Sequence, residues 1–113
     1  MMVFGYTNAS WTLKADLTAE YLCRLLKVMR DKHSPRVVPL AGDDDRSTAS
    51  MMGDALTSGY VQRGNAVMPR QGRRSPWKVV NSYFADRDMI KKSPIQDGIL
   101  RFQQRQAREP AAR

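Results

Sequence analysis

The chain has 113 residues, 42% hydrophobic and 27% charged, with a net charge of +8, a composition that allows one modest core and argues against wholesale disorder. Its single cysteine, Cys23, excludes an internal disulfide, and with only one histidine beside it a four-ligand zinc site of Cys and His alone is excluded too. No stretch approaches the roughly 20 apolar residues that cross a bilayer, and the first residues lack the basic flank of a secretory signal, so the sequence reads as cytoplasmic with no membrane span.

In chain order, residues 1–4 (MMVF) read as the end of a buried strand closed by Gly5, and residues 7–10 as a turn of small and amide-bearing side chains. A helix is predicted over about 12–32. Leu17, Tyr21, Leu22, Leu25, Leu26, Val28 and Met29 share one broad arc, while Asp16, Glu20, Arg24, Lys27 and Arg30 take the other. Ser10 or Thr12 serves as N-cap, Glu20 and Arg24 stand at the i,i+4 spacing of an ion pair, and Pro35 ends the helix. Lys14 breaks the pattern by projecting toward the apolar arc. Fraying of the first turn explains this, or a cover over that turn supplied from outside the chain.

Residues 36–40 read as an edge strand because Pro39 interrupts it, and Asp43, Asp44 and Asp45 as a solvated loop. Three adjacent carboxylates lack the alternating spacing of a calcium loop, so no metal ligands are assigned. A short helix is expected over 59–67. A second clear helix is expected over 76–91, with Ser75 as N-cap, Pro76 at the first helical position, and Trp77, Val80 and Phe84 on one face with Val79 and Tyr83 beside them. "QDG" is a turn, "ILRF" a short strand, and residues 104–113 a disordered tail.

Charge is uneven. Seven basic residues balance seven acidic ones up to residue 57, and twelve face four beyond it. Arg63, Arg70, Arg73, Arg74 and Lys78 therefore allow an alternative reading as a small basic nucleic-acid-binding module, although no aromatics are interleaved to stack on bases. A third reading is a non-catalytic interaction module docking through the apolar faces of its two helices. No catalytic residue is assigned: His33 has no carboxylate or nucleophile placed to work with it, Cys23 has no cationic cluster to activate it, and Ser10 has no partner base.

A strand closed by glycine, a turn of small residues and a helix start form the geometry that aims helix N–H groups at an anionic or polarised ligand. The stretch "GYTNASWTLKADLTAEYLCRLL" resembles the carboxyl-terminal FAD-domain segment of the flavin-dependent monooxygenases of the Baeyer-Villiger and flavin-containing type, in particular the ethionamide-activating subgroup. "GRRSPWKVVNSYFADRDMIKKSPIQDGILRF" is similar to the segment that closes those enzymes, and the two blocks cover about half of the chain.

The resemblance implies an α/β fragment: the terminal strand and helix of an FAD-binding Rossmann-like domain (1–34), an edge strand and acidic loop (35–58), a helical extension (59–103) and the tail. It implies FAD and NADPH as cofactors of the full-length family, a small-molecule substrate undergoing oxygen insertion or heteroatom oxidation, and a partner portion carrying the rest of the cofactor sites. Asn8, Ala9, Ser10, Trp11 and Thr12 would line the flavin edge. The seven glycines, at 5, 42, 53, 59, 64, 72 and 98, nowhere form the G-x-G-x-x-G fingerprint of a dinucleotide site. Tight cofactor binding and catalysis by this chain alone are therefore not expected.

Overall fold

The computed structural model describes residues 5–51 and 57–104. The strand expected at 1–4 lies outside the described residues, as does all but Gln104 of the tail expected to be disordered over 104–113. The elements are α1 (Trp11–Asp31), β1 (Arg36–Pro39), a 3-10 turn (Asp43–Asp45), α2 (Gly59–Gly64), α3 (Tyr83–Lys92) and β2 (Leu100–Gln103). The chain is thus a small α/β structure, and it divides into two compact units: Met1–Leu40 with Asn81–Arg113, and Ala41–Val80.

In the first unit, α1 follows its predicted bounds closely but not its predicted faces, since Leu22 and Leu26 of the apolar arc are exposed and Glu20 and Arg24 of the polar arc meet α3. The Ser10 hydroxyl caps it, accepting from the Thr12 amide at 3.4 Å. At the other end His33 takes a positive φ of 50°, its amide donates to the Arg30 carbonyl at 3.0 Å, and the Ser34 amide reaches the Met29 carbonyl at 2.9 Å. That pair of bonds is a Schellman closure with His33 in the left-handed position, so His33 turns the chain out of the helix.

α1 and α3 pack in parallel. Contacts climb both helices together, from Lys14 on Asp86, through Glu20 on Lys91 at 3.3 Å, to Arg24 on the carbonyls of Ile90 and Ser93. Leu17, 1% exposed, sits at the centre of the α1 core face, and Tyr6 and Ile95 are buried with it. Glu20 and Arg24 therefore both bond to α3 instead of pairing with each other along α1.

After α1, β1 and β2 pair antiparallel in the register Arg36 to Gln103 through Pro39 to Leu100. The buried Ser34 hydroxyl donates to the Gln103 carbonyl at 2.8 Å and fastens the sheet to the end of α1. Lys32 covers the Phe102 ring at 5.4 Å. The predicted turn before β2 is held by Asp97, whose carboxylate accepts from the Ile99 amide at 2.9 Å, and by Gly98 at φ 82°.

The second predicted helix begins later than expected. Ser82, not Ser75, is its N-cap, its hydroxyl accepting from the Ala85 amide. The backbone groups that would have built a helix from 76 are engaged elsewhere: the Trp77 carbonyl accepts from the Gly72 amide at 2.8 Å, and the Val79 amide donates to the Gln71 side chain at 3.1 Å. With the helix shortened, its core face also shifts, to Tyr83, Asp86 and Ile90. Phe84 is left 67% exposed beneath the Arg87 guanidinium.

The second unit is built on polar closure around buried Val61. Asp45 is its hub: the carboxylate accepts from the Gly42 amide at 2.9 Å and from Arg74 at 2.5 Å, and the carbonyl accepts from the Arg73 amide at 2.9 Å. The expectation of a wholly solvated acidic loop is corrected here, since Asp43 and Asp44 are exposed but Asp45 is buried and paired. A 3-10 turn over these residues points the third carboxylate back at its own start.

Candidate functional site

Gly5 leads the chain across the start of α1. A β-carbon there would stand 2.7 Å from the Trp11 β-carbon, so the crossing requires glycine. Tyr6 next turns inward, buried, and donates its hydroxyl to Asp86 at 2.7 Å. Its ring meets the edge of Tyr83 at 6.2 Å. Thr7 is tied to the residue just ahead of α3 by two bonds, its amide to the Asn81 side-chain oxygen at 3.1 Å and its hydroxyl accepting from the Asn81 amide group at 2.6 Å.

With Tyr6 and Thr7 anchored, Asn8, Ala9, Ser10, Trp11 and Thr12 all face outward, Trp11 at 66% exposure. The Ser10 and Thr12 hydroxyls are 2.8 Å apart, and the Leu13 amide closes on the Ser10 carbonyl at 3.2 Å. The structure thus brings the five sequence-assigned residues together on one exposed turn.

The electrostatics of this turn follow from the packing below it. Because α1 and α3 are parallel, their N-termini lie at the same edge, but the positive end of α3 is met by Asp86 in its own first turn. The first turn of α1 carries no acidic residue to neutralise its positive end. Underneath, Lys14 forms an ion pair with Asp86, and its ammonium lies 5.6 Å from the centre of the Tyr6 ring. Burial, and then the bond to the Asp86 carboxylate, push the Tyr6 phenol well above its ordinary pKa.

Asp86 is the residue that sequence reading missed. Within the chain, Lys14 faces neither solvent nor an outside cover but this carboxylate, which accounts for its place in the apolar arc. A signal was present in the paired anomalies: a lysine on one apolar face and an aspartate in the second helix, of opposite sign.

Elsewhere, a groove of about 410 Å³ runs between Arg24, Lys27, Val28, Asp31, Pro94 and Ile95. It lies more than a dozen residues along α1 from the turn, about 20 Å at the helical rise. In the second unit, Arg73 donates to the Arg46 carbonyl at 2.9 Å and Arg74 bonds Asp45, so two cations of the basic cluster are engaged internally. Along α1, Trp11, Leu22 and Leu26 are exposed on the side away from α3, an apolar stripe some 60° wide. Among the described residues no helix is long and apolar enough to cross a membrane.

Over about nine tenths of its length the chain is similar to FAD-containing monooxygenases, and it matches only the carboxyl-terminal fifth of those proteins. It is 46% identical over 101 residues to the protein named "probable FAD-binding monooxygenase AlmA" of Acinetobacter baylyi, covering 89% of this chain and 20% of that protein. It is 44% identical over 103 residues to the FAD-containing monooxygenase EthA of Mycobacterium tuberculosis (91% and 21%), and 39% over 106 residues to EthA of Mycolicibacterium smegmatis (94% and 21%). The chain therefore spans about a fifth of the length of these curated relatives. No family model matches it, and no solved structure does.

Proposed function

We propose that this chain is the carboxyl-terminal portion of an FAD- and NADPH-dependent monooxygenase that inserts oxygen into ketones or oxidises heteroatoms. In this reading α1 is the last helix of an FAD-binding, Rossmann-like domain, and Asn8, Ala9, Ser10, Trp11 and Thr12 line the flavin edge. The observation that carries it is the outward-facing, acid-free turn at the N-terminus of α1, in a sequence 44% identical to an FAD-containing monooxygenase.

The residues present fit that role. A flavin takes up negative charge on its pyrimidine edge when reduced, and a helix N-terminus stabilises such charge. The small side chains of Ala9 and Ser10 let a planar ring approach the backbone, and the Asn8 amide and the Ser10 and Thr12 hydroxyls supply donors and acceptors. When bound, FAD supplies the redox chemistry with oxygen. What this chain contributes is one wall: it orients the ring edge and shields it with Trp11.

The phosphate-binding glycine fingerprints and the NADPH site belong, in this proposal, to a partner portion, so the isolated chain is inactive and holds FAD at millimolar affinity or weaker. A small ketone or a small molecule with an oxidisable heteroatom is the substrate class. The cytoplasm is the working compartment, consistent with an exposed, unpaired Cys23 thiol. The test is a chimera in which this chain replaces the matching fifth of an EthA-type relative. The reading expects a yellow protein that retains FAD and oxidises NADPH; a soluble, folded chimera devoid of flavin overturns it.

A further inference from the structure

Asp86 is 1% exposed, as deeply buried as Leu17. A buried carboxylate is costly to desolvate, and a well-packed apolar side chain in its place is often as stable or more so. Stability alone is thus a poor reason for an acid at this position, and its bonds suggest another. Tyr6 and Lys14 both reach the same atom, Asp86 Oδ2. Tyr6 lies two residues before Asn8 and Lys14 two residues after Thr12, so a single oxygen atom holds both ends of the outward-facing segment 8–12.

Hydrogen bonds and ion pairs are directional where apolar contacts are not. An apolar contact between α1 and α3 would bury the same area while leaving α1 free to rotate and its first turn free to fray. Asp86 removes that freedom, because rotating α1 pulls Lys14 off the carboxylate and lifting the turn pulls Tyr6 off it. The Thr7–Asn81 pair, just beyond Tyr6, prevents the turn from pivoting on the phenol.

We infer that Asp86 is the positioning residue of the proposed flavin-facing turn, fixing through Tyr6 and Lys14 the direction in which the first amides of α1 point. The inference rests on the flavin-facing reading for its purpose but not for its test. In the full chain, the triple variant Tyr6→Phe/Lys14→Met/Asp86→Leu replaces the polar contact by an apolar one of similar volume. The expected result is a denaturation midpoint close to wild type, with hydrogen exchange at the bonded amides of the turn, Thr7, Thr12 and Leu13, at least tenfold faster and the mid-helix amides of α1 unchanged.

Wild-type exchange at these three amides in the folded triple variant overturns the inference. Should that variant fail to fold, Asp86→Asn decides: faster exchange confined to the Thr7, Thr12 and Leu13 amides supports the positioning role, while uniform acceleration along α1 and α3 assigns Asp86 to general stability and overturns it. A chimera without flavin would sink the functional proposal and leave these exchange results standing, so the two failures are distinguishable.

Discussion

Arg24, in the middle of α1, closes the far end of α3: its guanidinium donates to the Ile90 carbonyl at 2.5 Å and to the Ser93 carbonyl at 2.8 Å. The last carbonyls of a helix lack partners within it, and a cation there also meets the negative end of the dipole. Arg24→Ala is expected to destabilise the first unit by about 2 kcal/mol, the scale of a charge-assisted hydrogen bond lost at a partly buried site. Arg24→Lys keeps the charge but not the two-pronged geometry, and is expected to recover about half. Urea denaturation followed by the helical circular-dichroism signal measures both.

The acid limb of stability is expected to depend on Asp45. The bond from Arg74, and then the Gly42 amide, hold its carboxyl below the usual carboxylate range. A group with a depressed folded-state pKa contributes stability that is complete above its unfolded value, roughly 3.9, and is lost as pH falls through the folded value. Wild type should therefore lose order around Asp45 below about pH 4, and Asp45→Asn should flatten that limb while lowering stability at neutral pH. Amide exchange at Gly42 and Arg73, measured from pH 3 to 6, reads the effect; equal acid sensitivity of both proteins would refute it.

At alkaline pH the sign reverses, and Tyr6 is the group concerned. Its folded-state pKa is raised by burial and by Asp86, so the stability tied to its neutral phenol is complete below the unfolded value of about 10 and disappears as pH rises through the folded one. Tyr21 is raised as well, mainly by burial. Ultraviolet titration of the four tyrosines should show late-ionising phenols, and Tyr6→Phe should remove the latest. If the Tyr6→Phe titration curve has the same upper limb as wild type, the Tyr6–Asp86 bond is not the one that matters.

These groups also show where sequence was informative. Helix α1 was legible to within a residue at each end because local signals agree there: an apolar arc at 3.6 periodicity, Ser10 at its start and Pro35 beyond its end. The strands β1 and β2 were each legible, from Pro39 and from the Asp97-Gly98 turn, although their pairing and register were not. The start of α3 was misread because Ser75-Pro76 is a good local helix signal that loses to tertiary hydrogen bonding, the Trp77 carbonyl and Val79 amide being taken by Gly72 and Gln71. Asp86 and Asp45 were illegible for the same reason in another form. Charge and flanking sequence say a carboxylate is solvated, and only the distant partners Lys14, Tyr6 and Arg74 make burial affordable. Of the site, the turn at 8–12 was visible in the sequence, while the clamp beneath it spans 72 to 80 residues and was not.

Three glycines give an ordered series that tests the placement of the turn. At Gly64 a β-carbon would meet nothing within 4 Å, so alanine there reduces unfolded-chain entropy without strain, and Gly64→Ala is expected to stabilise by up to about 1 kcal/mol. Gly98 also has open space, but its φ of 82° places an alanine in the left-handed region, at a cost of about 1–2 kcal/mol. Gly5 differs in kind. Its added β-carbon would lie 2.7 Å from the Trp11 β-carbon and 3.0 Å from the Trp11 α-carbon, atoms too close to the backbone to swing aside. The start of α1 must itself move, and overpacking of this sort costs about 1–3 kcal/mol. Because the displaced backbone is that of the outward-facing turn, Gly5→Ala should also shift the amide resonances of residues 8–12, which Gly98→Ala should leave in place at a similar loss of stability. A Gly5→Ala protein with wild-type resonances over 8–12 would mean that the chain does not cross the helix start as described.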